Sequence, residues 1–360
     1  MEKARIQRSG FGGWRSSTRL TQKDLTQFCT RMADLLSAGV SAPQSLHIIS
    51  NQTKNESVQR FSERLENKIR KGNTLSHALK QDPSNPPNTM IALVAAGETL
   101  GNMGGAFSQI ALSFEAQTTL RREIVGQLIY PAALFILLIL TIIFLSFFVL
   151  PQFESVFATA SAPPPPETQF VLSVASFIRR FWFIGAITIA GFILSLYFFI
   201  KSNKPQWDQF VISAPVVGKL VRKVETARYS RSLGELLSGG LPLARAMPIA
   251  QSAVSNTTMS EALDHIQAQV KNGAPLSVAI AATPCLADDI LAFFELGEET
   301  GDSGRMMTKG ASYMEQEVTN VLKRFAVLSG PIMTAIMGLM TAGVIAAVMT
   351  GVLSLNDTVY

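Results

Sequence analysis

Gly301, Asp302, Ser303 and Gly304 form the stretch of this chain in which chemistry is most readily imagined, because a serine on a tight glycine turn can serve as a nucleophile. That chemistry needs a histidine base and an aspartate to orient it, held on a two-barrel β scaffold. The surrounding pattern is helical, and the matching place earlier in the chain reads Gly101, Asn102, Met103, Gly104, without a serine. A membrane protease therefore stands only as an unfavoured alternative. Beside the turn, Glu295, Glu298, Glu299 and Asp302 could offer oxygen ligands to a hard cation, but carboxylates in the first turn of a helix are also stabilised by its dipole. Only Glu298 has a counterpart, Glu98, so these four are weak metal candidates and no metal is expected. His47, His77 and His265 have no cysteine or carboxylate at zinc-ligand spacing, and the phosphate-binding GxxxxGK[ST] pattern is absent. No catalytic residue and no cofactor are expected, and the chain does not read as an enzyme.

What the stretch does show is duplication. Gly97, Glu98, Gly101, Gly104 and Pro131 recur 200 positions later as Gly297, Glu298, Gly301, Gly304 and Pro331. Upstream the offset is 201: Phe28, Leu35, Leu36, Ser37 and Gly39 fall on Tyr229, Leu236, Leu237, Ser238 and Gly240, and Gly72, Leu75, Ser76 and Ala78 on Gly273, Leu276, Ser277 and Ala279. One residue is lost between the blocks. Glycines, apolar stripe and proline in register imply two units of one fold.

Helices must carry these residues. Thr21 and Asp24 form a capping box, with Leu20 and Leu25 at staple positions, and Leu25, Phe28, Met32, Leu35 and Leu36 recur at helical spacing up to Gly39. A second helix is expected after Pro43, and a third from Asn55 to Gly72 with the stripe Val58, Phe61, Leu65, Ile69. A short fourth covers Leu75 to Leu79, and a fifth leads into Gly97 after the run Pro83 to Pro87. Phe107, Ile110 and Phe114 open a sixth that continues toward an apolar segment. No alternating strand pattern occurs.

Three uncharged apolar stretches, Gln127 to Leu150, Phe181 to Ile200 and Phe325 to Asn356, each reach the roughly 20 residues needed to cross a bilayer. No ionisable side chain lies inside them, which weighs against a transporter of ions or polar solutes. Arg121 and Arg122 before the first stretch and Lys323 and Arg324 before the third place these flanks in the cytosol; Arg179 and Arg180 before the second run against the pattern. The basic start (Lys3, Arg5, Arg8, Arg15, Arg19) precedes no apolar run of signal-peptide type. The net charge of +5 follows from cytosolic basic flanks without invoking nucleic acid. Cys29 and Cys285, one in each unit, are expected to stay reduced. Pro131 and Pro331 are expected to kink helices where they enter the membrane. Gly343, Ala347 and Gly351 form a small-residue stripe suited to close packing against another span or another subunit.

The expected organisation is thus an all-α membrane protein with two homologous cytosolic helical bundles of about six helices each and three transmembrane helices. Residues 1–20 are a disordered basic tail, 21–126 the first bundle, 127–150 the first span, and 151–180 an extracytoplasmic Pro-rich loop with Pro163 to Pro166 as a stiff spacer. Residues 181–200 are the second span, 201–324 the second bundle and 325–356 the third span.

These residues resemble a family. DLLSAG (Asp34 to Gly39) and ELLSGG (Glu235 to Gly240), GETLG (Gly97 to Gly101) and GEETG (Gly297 to Gly301), Tyr130 with Pro131, and LPQFESVF (Leu150 to Phe157) look like the GspF/PilC family, the inner-membrane platform proteins of type II secretion systems and type IV pili. Pro166, Thr168, Pro215, Gly218, Arg228 and Arg231 fit the same pattern, and the likeness runs from Thr21 to Leu355. The short stretch before the first unit resembles type IVb pilus members, and Leu100 stands where relatives often have a small polar residue. The resemblance implies a non-enzymatic, multi-pass platform of the bacterial inner membrane, N-terminus cytosolic and C-terminus extracytoplasmic. Its implied partners are a hexameric cytosolic assembly ATPase, pilins or pseudopilins, other inner-membrane assembly proteins and further copies of itself. A repeat-built membrane transporter remains the alternative from another class.

Overall fold

Thr21 and Asp24 open the first helix with the reciprocal cap that their spacing predicts. The Asp24 amide donates to Thr21 Oγ1 at 3.2 Å and the Thr21 amide to Asp24 Oδ2 at 2.9 Å. The second oxygen of Asp24 accepts from Asn55 Nδ2 at 2.6 Å, and Asn55 in turn caps the third helix by accepting from the Ser57 amide at 2.9 Å. Two helix starts are thereby fastened together through one carboxylate. The computed structural model describes residues 20–160, 165–283 and 285–357. The basic tail, apart from Leu20, and Pro163 and Pro164 lie outside the described residues.

The described chain is helical, with no strand. The first repeat carries α1 (Gln22–Ser37), α2 (Ala42–Gln52), α3 (Glu56–Arg70), α4 (Leu75–Lys80), α5 (Asn88–Leu100) and α6 (Met103–Phe144). A π-helical turn, Leu145–Val149, joins α6 to α7 (Leu150–Ala160); α8 (Pro166–Ser202) and α9 (Lys204–Ser213) follow. The second repeat is α10 (Val217–Ser238), α11 (Leu243–Gln251), α12 (Thr257–Lys271), α13 (Leu276–Ala282), α14 (Leu291–Thr300) and α15 (Ser303–Asp357). Helix starts keep the register of the sequence: α3 with α12 and α4 with α13 at offset 201, then α6 with α15 at 200. Positive φ falls on the same three glycine pairs, 84° and 85° at Gly39 and Gly240, 89° and 94° at Gly72 and Gly273, and 68° at both Gly101 and Gly301. The missing residue lies in the loop between α13 and α14, where the first repeat has Pro83 to Pro87.

Residues 151–180, expected as a Pro-rich loop, are largely helical instead, in α7 and the first turns of α8. The prolines explain the difference. Pro166 occupies the first position of α8, where a helix has no use for an amide donor and where the fixed φ of proline is already helical.

The described chain forms two compact units that do not follow the repeats. In the first, residues up to Thr118 pack with Arg231–Ala253 and Glu299–Thr308. Its core holds most of the expected stripes: Phe28 meets Phe61 edge-on at 4.9 Å and Phe107 at 6.2 Å, and Met32, Val58 and Leu65 are fully buried together with Leu46 and Leu79, while Leu35, Leu36 and Ile69 are half-buried. Arg64 clamps Asp82 with two parallel bonds of 2.8 and 2.9 Å, and Gln109 Nε2 donates to the Glu235 carbonyl at 2.7 Å. The second unit, Thr119–Ser230, Val254–Glu298 and the residues from Lys309 on, buries Tyr229, Met259, Leu263, Ile266, Ile290, Phe294 and Met314. Lys223 joins α10 to α15 and to the turn before α14 through Glu317 and Asp289, both at 3.2 Å. Burial opposes its charge, but the two carboxylates outweigh burial and hold its pKa above the usual lysine value.

Two helical stretches, Met103–Ser155 and Ser303–Gly351, are long and apolar enough to cross a membrane, and only 11% and 6% of their most apolar windows are buried. A core helix of a soluble protein would be mostly covered. Leu339, Val327, Phe148 and Ile129 instead stand exposed. The expected second span, Phe181–Ile200, lies inside the 37-residue α8, where Phe192 and Leu194 are also exposed.

Candidate functional site

Glu98 comes from the last turn of α5 and reaches the first turn of α4. Its Oε1 accepts from the Leu75 amide at 2.5 Å and the Ser76 amide at 3.3 Å, and its Oε2 takes the Ser76 hydroxyl. Glu298, from α14, repeats this on α13: the Leu276 amide at 2.6 Å, the Ser277 amide at 3.3 Å, and the Ser277 hydroxyl. A helix of six or seven residues is too short to be stable alone. A carboxylate on its unpaired N-terminal amides satisfies those donors and complements the positive end of its dipole.

The glycines position this clasp. Gly101 and Gly301 end α5 and α14 in the left-handed region, which a side chain would strain. Asn102 and Asp302 then cap the next helix, accepting from the Gly105 amide at 3.0 Å and the Arg305 amide at 3.3 Å. A β-carbon on Gly104 would stand 2.8 Å from Ser37 Oγ, and one on Gly304 2.8 Å from the Ser238 amide nitrogen. The start of α6 is thus seated directly on the end of α1, and the start of α15 on the end of α10. Gly97 is equally tight, with a β-carbon 2.7 Å from that of Ala106.

The four acidic candidates do not converge. Glu298 is committed to α13, Asp302 pairs with Arg305 Nε at 2.7 Å, and no three metal-ligating side chains cluster among the described residues. Ser303 is the first residue of α15, so the GDSG turn is a helix start. His47 lies 3.2 Å from Glu66 and 3.0 Å from Asn51, and His77 2.8 Å from Gln81. Cys29 is fully buried, which raises its pKa, and burial pushes the Cys285 thiol up to about 11, so neither is a ready nucleophile.

Pro131 lies inside α6 and Pro331 inside α15, and both helices continue through them. Each proline leaves a carbonyl one turn back, on Gln127 and Val327, without its amide donor. Tyr130 Oη would be 3.1 Å from a β-carbon on Gly330, its own counterpart in the repeat, so α6 and α15 meet at equivalent positions. Below that point Thr319 donates to Glu123 at 3.0 Å. Of the small-residue stripe, Gly343 and Ala347 line an apolar cavity of about 730 Å³ with Ser146, Leu150, Phe170 and Ala175, and a β-carbon on Gly343 would meet nothing within 4 Å. Thr168 Oγ1 donates to the Ala347 carbonyl at 2.5 Å, and Gly351 is buried. Arg179, whose charge ran against the flank pattern, is ion-paired with Glu154 of α7.

Sequence reasoning did not find the partners of the two glutamates, although Ser76 and Ser277 stood in register as a signal. Thr168, Glu154 and Lys223 had no signal in the repeat at all.

The fold and the clasp define a class: a duplicated helical protein in which each copy pins a short helix with one glutamate and then runs on into a long apolar helix. A family model for protein F of the type II secretion system matches the chain twice, over residues 28–151 and 229–351. The chain belongs to this family, the GspF/PilC family. It is 26% identical over 358 residues to the type IV pilus assembly protein PilC of Pseudomonas aeruginosa, covering 99% of this chain and 96% of that protein. It is 30% identical over 314 residues to the type II secretion system protein F of Xanthomonas campestris pv. campestris, covering 86% and 77%. The type IV pilus assembly protein TapC of Aeromonas hydrophila is 27% identical over 351 residues, covering 96% and 84%.

Proposed function

We propose that this chain is the inner-membrane platform of a type IV pilus or type II secretion system, coupling a hexameric cytosolic assembly ATPase to the insertion of pilins or pseudopilins. In this reading it has two cytosolic helical bundles and three spans, with α8 as the second, its N-terminus in the cytosol and its C-terminus outside. It carries out no chemistry of its own and works as a homo-oligomer with other inner-membrane assembly proteins.

One observation carries the reading beyond family membership. In each copy the helix that leaves the glutamate clasp is the same helix that becomes apolar and exposed, 55 residues without interruption in α15. At 1.5 Å per residue that is a rod of about 80 Å. A push or twist at its cytosolic end reaches the bilayer without crossing a loop. The exposed apolar face of the long helices supports a membrane protein, and the absence of charge within it disfavours a transporter of polar solutes. Pro131 and Pro331 supply the joint at which each rod bends.

The test is retention of the assembly ATPase by the full-length chain purified in detergent. Co-elution in the presence of nucleotide supports the platform; no retention, with both proteins folded, opposes it. Solute flux in vesicles holding the chain alone would instead favour the transporter.

A further inference from the structure

The end of α8 is followed by a segment that is apolar, basic and uncovered. Phe210 is 68% exposed, Val216 74% and Val217 53%, among the most exposed large apolar residues outside the long helices. Phe210 shares an exposed face of α9 with Gln206, Gln209 and Ser213, and Val216 and Val217 stand exposed in the turn and at the helix start that follow. The opposite side of α9 is occupied: Asp208 accepts from the Thr257 amide at 2.8 Å and from its hydroxyl at 3.0 Å, and Asn256 Nδ2 donates to the Asp208 carbonyl at 3.1 Å. The start of α12 therefore fixes which way Phe210 faces. The start of α10 packs closely on the end of α9, because the space a β-carbon on Gly218 would need is filled by the Ile212 carbonyl.

Charge distinguishes the possible occupants. Lys201 and Lys204 before these apolar residues and Lys219 after them are exposed, and the only acidic residue between Lys201 and Lys223 is Asp208, turned toward α12. Trp207, with its ring 6.0 Å from that of Phe210, is the side chain most at home where hydrocarbon meets headgroups. The distance is set by the chain: a single residue, Asn203, separates α8 from α9, which has 10 residues, about 15 Å of helix.

We propose that α9 and the turn after it form an in-plane anchor, seating Phe210, Val216 and Val217 in the anionic headgroup layer of the bilayer that α8 enters. This rests on the reading of α8 as a span. The apolar tips enter the boundary layer while the lysines meet phosphate groups, as in surface-lying amphipathic helices. The anchor holds the start of α12 and α10 at a fixed depth, so that the second repeat moves with the membrane surface.

Nitroxide labels placed one at a time at Phe210→Cys, Val216→Cys and Val217→Cys, in a Cys285→Ala chain reconstituted into vesicles, test this directly. Cys29 is fully buried and stays unlabelled. Collision with oxygen against an aqueous nickel chelate reports depth, with exposed Lys71→Cys as the water control and Leu339→Cys as the span control. The expected result is an oxygen-to-nickel ratio at all three sites several-fold above that at 71 and below that at 339. It should fall when phosphatidylglycerol is omitted or when Lys201, Lys204 and Lys219 are changed to Gln. Ratios equal to that at 71, while 339 stays lipid-like, overturn the anchor. So does shielding from both reagents, which would mean that protein, such as a second copy, covers the patch. A water-like 339 would instead mean that the membrane reading itself fails. If the phenylalanine variant does not fold, the two valine sites, Val216 in the turn and Val217 at the start of α10, decide the matter.

Discussion

Glu298 holds Ser277 by both its amide and its hydroxyl, and 200 residues earlier Glu98 holds Ser76 in the same way. Removing either carboxylate leaves two helix-start amides and a hydroxyl without their acceptor. Glu298→Ala and Glu98→Ala are each expected to lower stability by about 1–3 kcal/mol. The Gln variants, which keep an acceptor but not the charge, should lose roughly half of that. Thermal unfolding of the detergent-solubilised chain measures this, and an unchanged midpoint in all four would contradict the clasp.

The close-packed glycines should separate into two kinds. At Gly304 a β-carbon would meet backbone, the Ser238 amide at 2.8 Å and the Gly234 carbonyl at 3.0 Å, which cannot swing aside. Gly304→Ala is expected to cost about 1–3 kcal/mol. At Gly330 the obstacle is the 3.1 Å approach of the far end of Tyr130, which is half exposed and free to rotate. There the gain in helix propensity, about 1 kcal/mol, offsets the crowding, so Gly330→Ala should be neutral or stabilising. Melting curves of the two variants in parallel check the contrast; equal losses would mean that α6 and α15 meet more tightly than described.

Acid should loosen the first unit through Asp82. Its side chain is fully buried, and burial alone would raise its pKa, but the bonds from Arg64 and Ser84 outweigh burial and hold it below the usual carboxylate value. A depressed folded-state pKa means that the stabilisation is complete above the unfolded value of about 3.9 and is lost as pH falls through the folded one. Asp82→Asn should lower the melting temperature at neutral pH and flatten its decline below about pH 4. Parallel slopes for variant and parent would assign acid sensitivity to other carboxylates.

Much of this molecule was legible because its ends of helices are written in residue types with few substitutes. Thr21 with Asp24, Asn55, and the glycines at 39 and 72 mark boundaries that the structure keeps, and doubling made the last three count twice, whereas α5, expected to lead into Gly97, runs on to Leu100. The GDSG turn lost its appeal as a reactive site in the sequence because the first copy has no serine there, and Asn102 and Asp302 each cap the helix that follows. The stretch 151–180 was misread because proline stops helices and also starts them, and composition does not separate the two roles. The packing of Arg231–Ala253 with the first repeat was hidden for another reason: periodicity shows that a face is buried, not what covers it.

Pro131 and Pro331 are expected to matter for movement rather than for folding. Replacing both by Ala restores two backbone hydrogen bonds and stiffens both helices, so the melting temperature should rise while filament assembly or secretion falls. A stiffer chain that assembles filaments normally would remove the joint from the mechanism.

The claim at the centre is that motion passes from cytosol to bilayer along unbroken helix. A short Gly-Ser insert between exposed Arg324 and Phe325 breaks α15 at its membrane entrance while leaving the clasp and the apolar segment unchanged. Pilus or pseudopilus assembly should be abolished although the variant still inserts and still retains the assembly ATPase. Normal filament assembly by that variant would contradict the account.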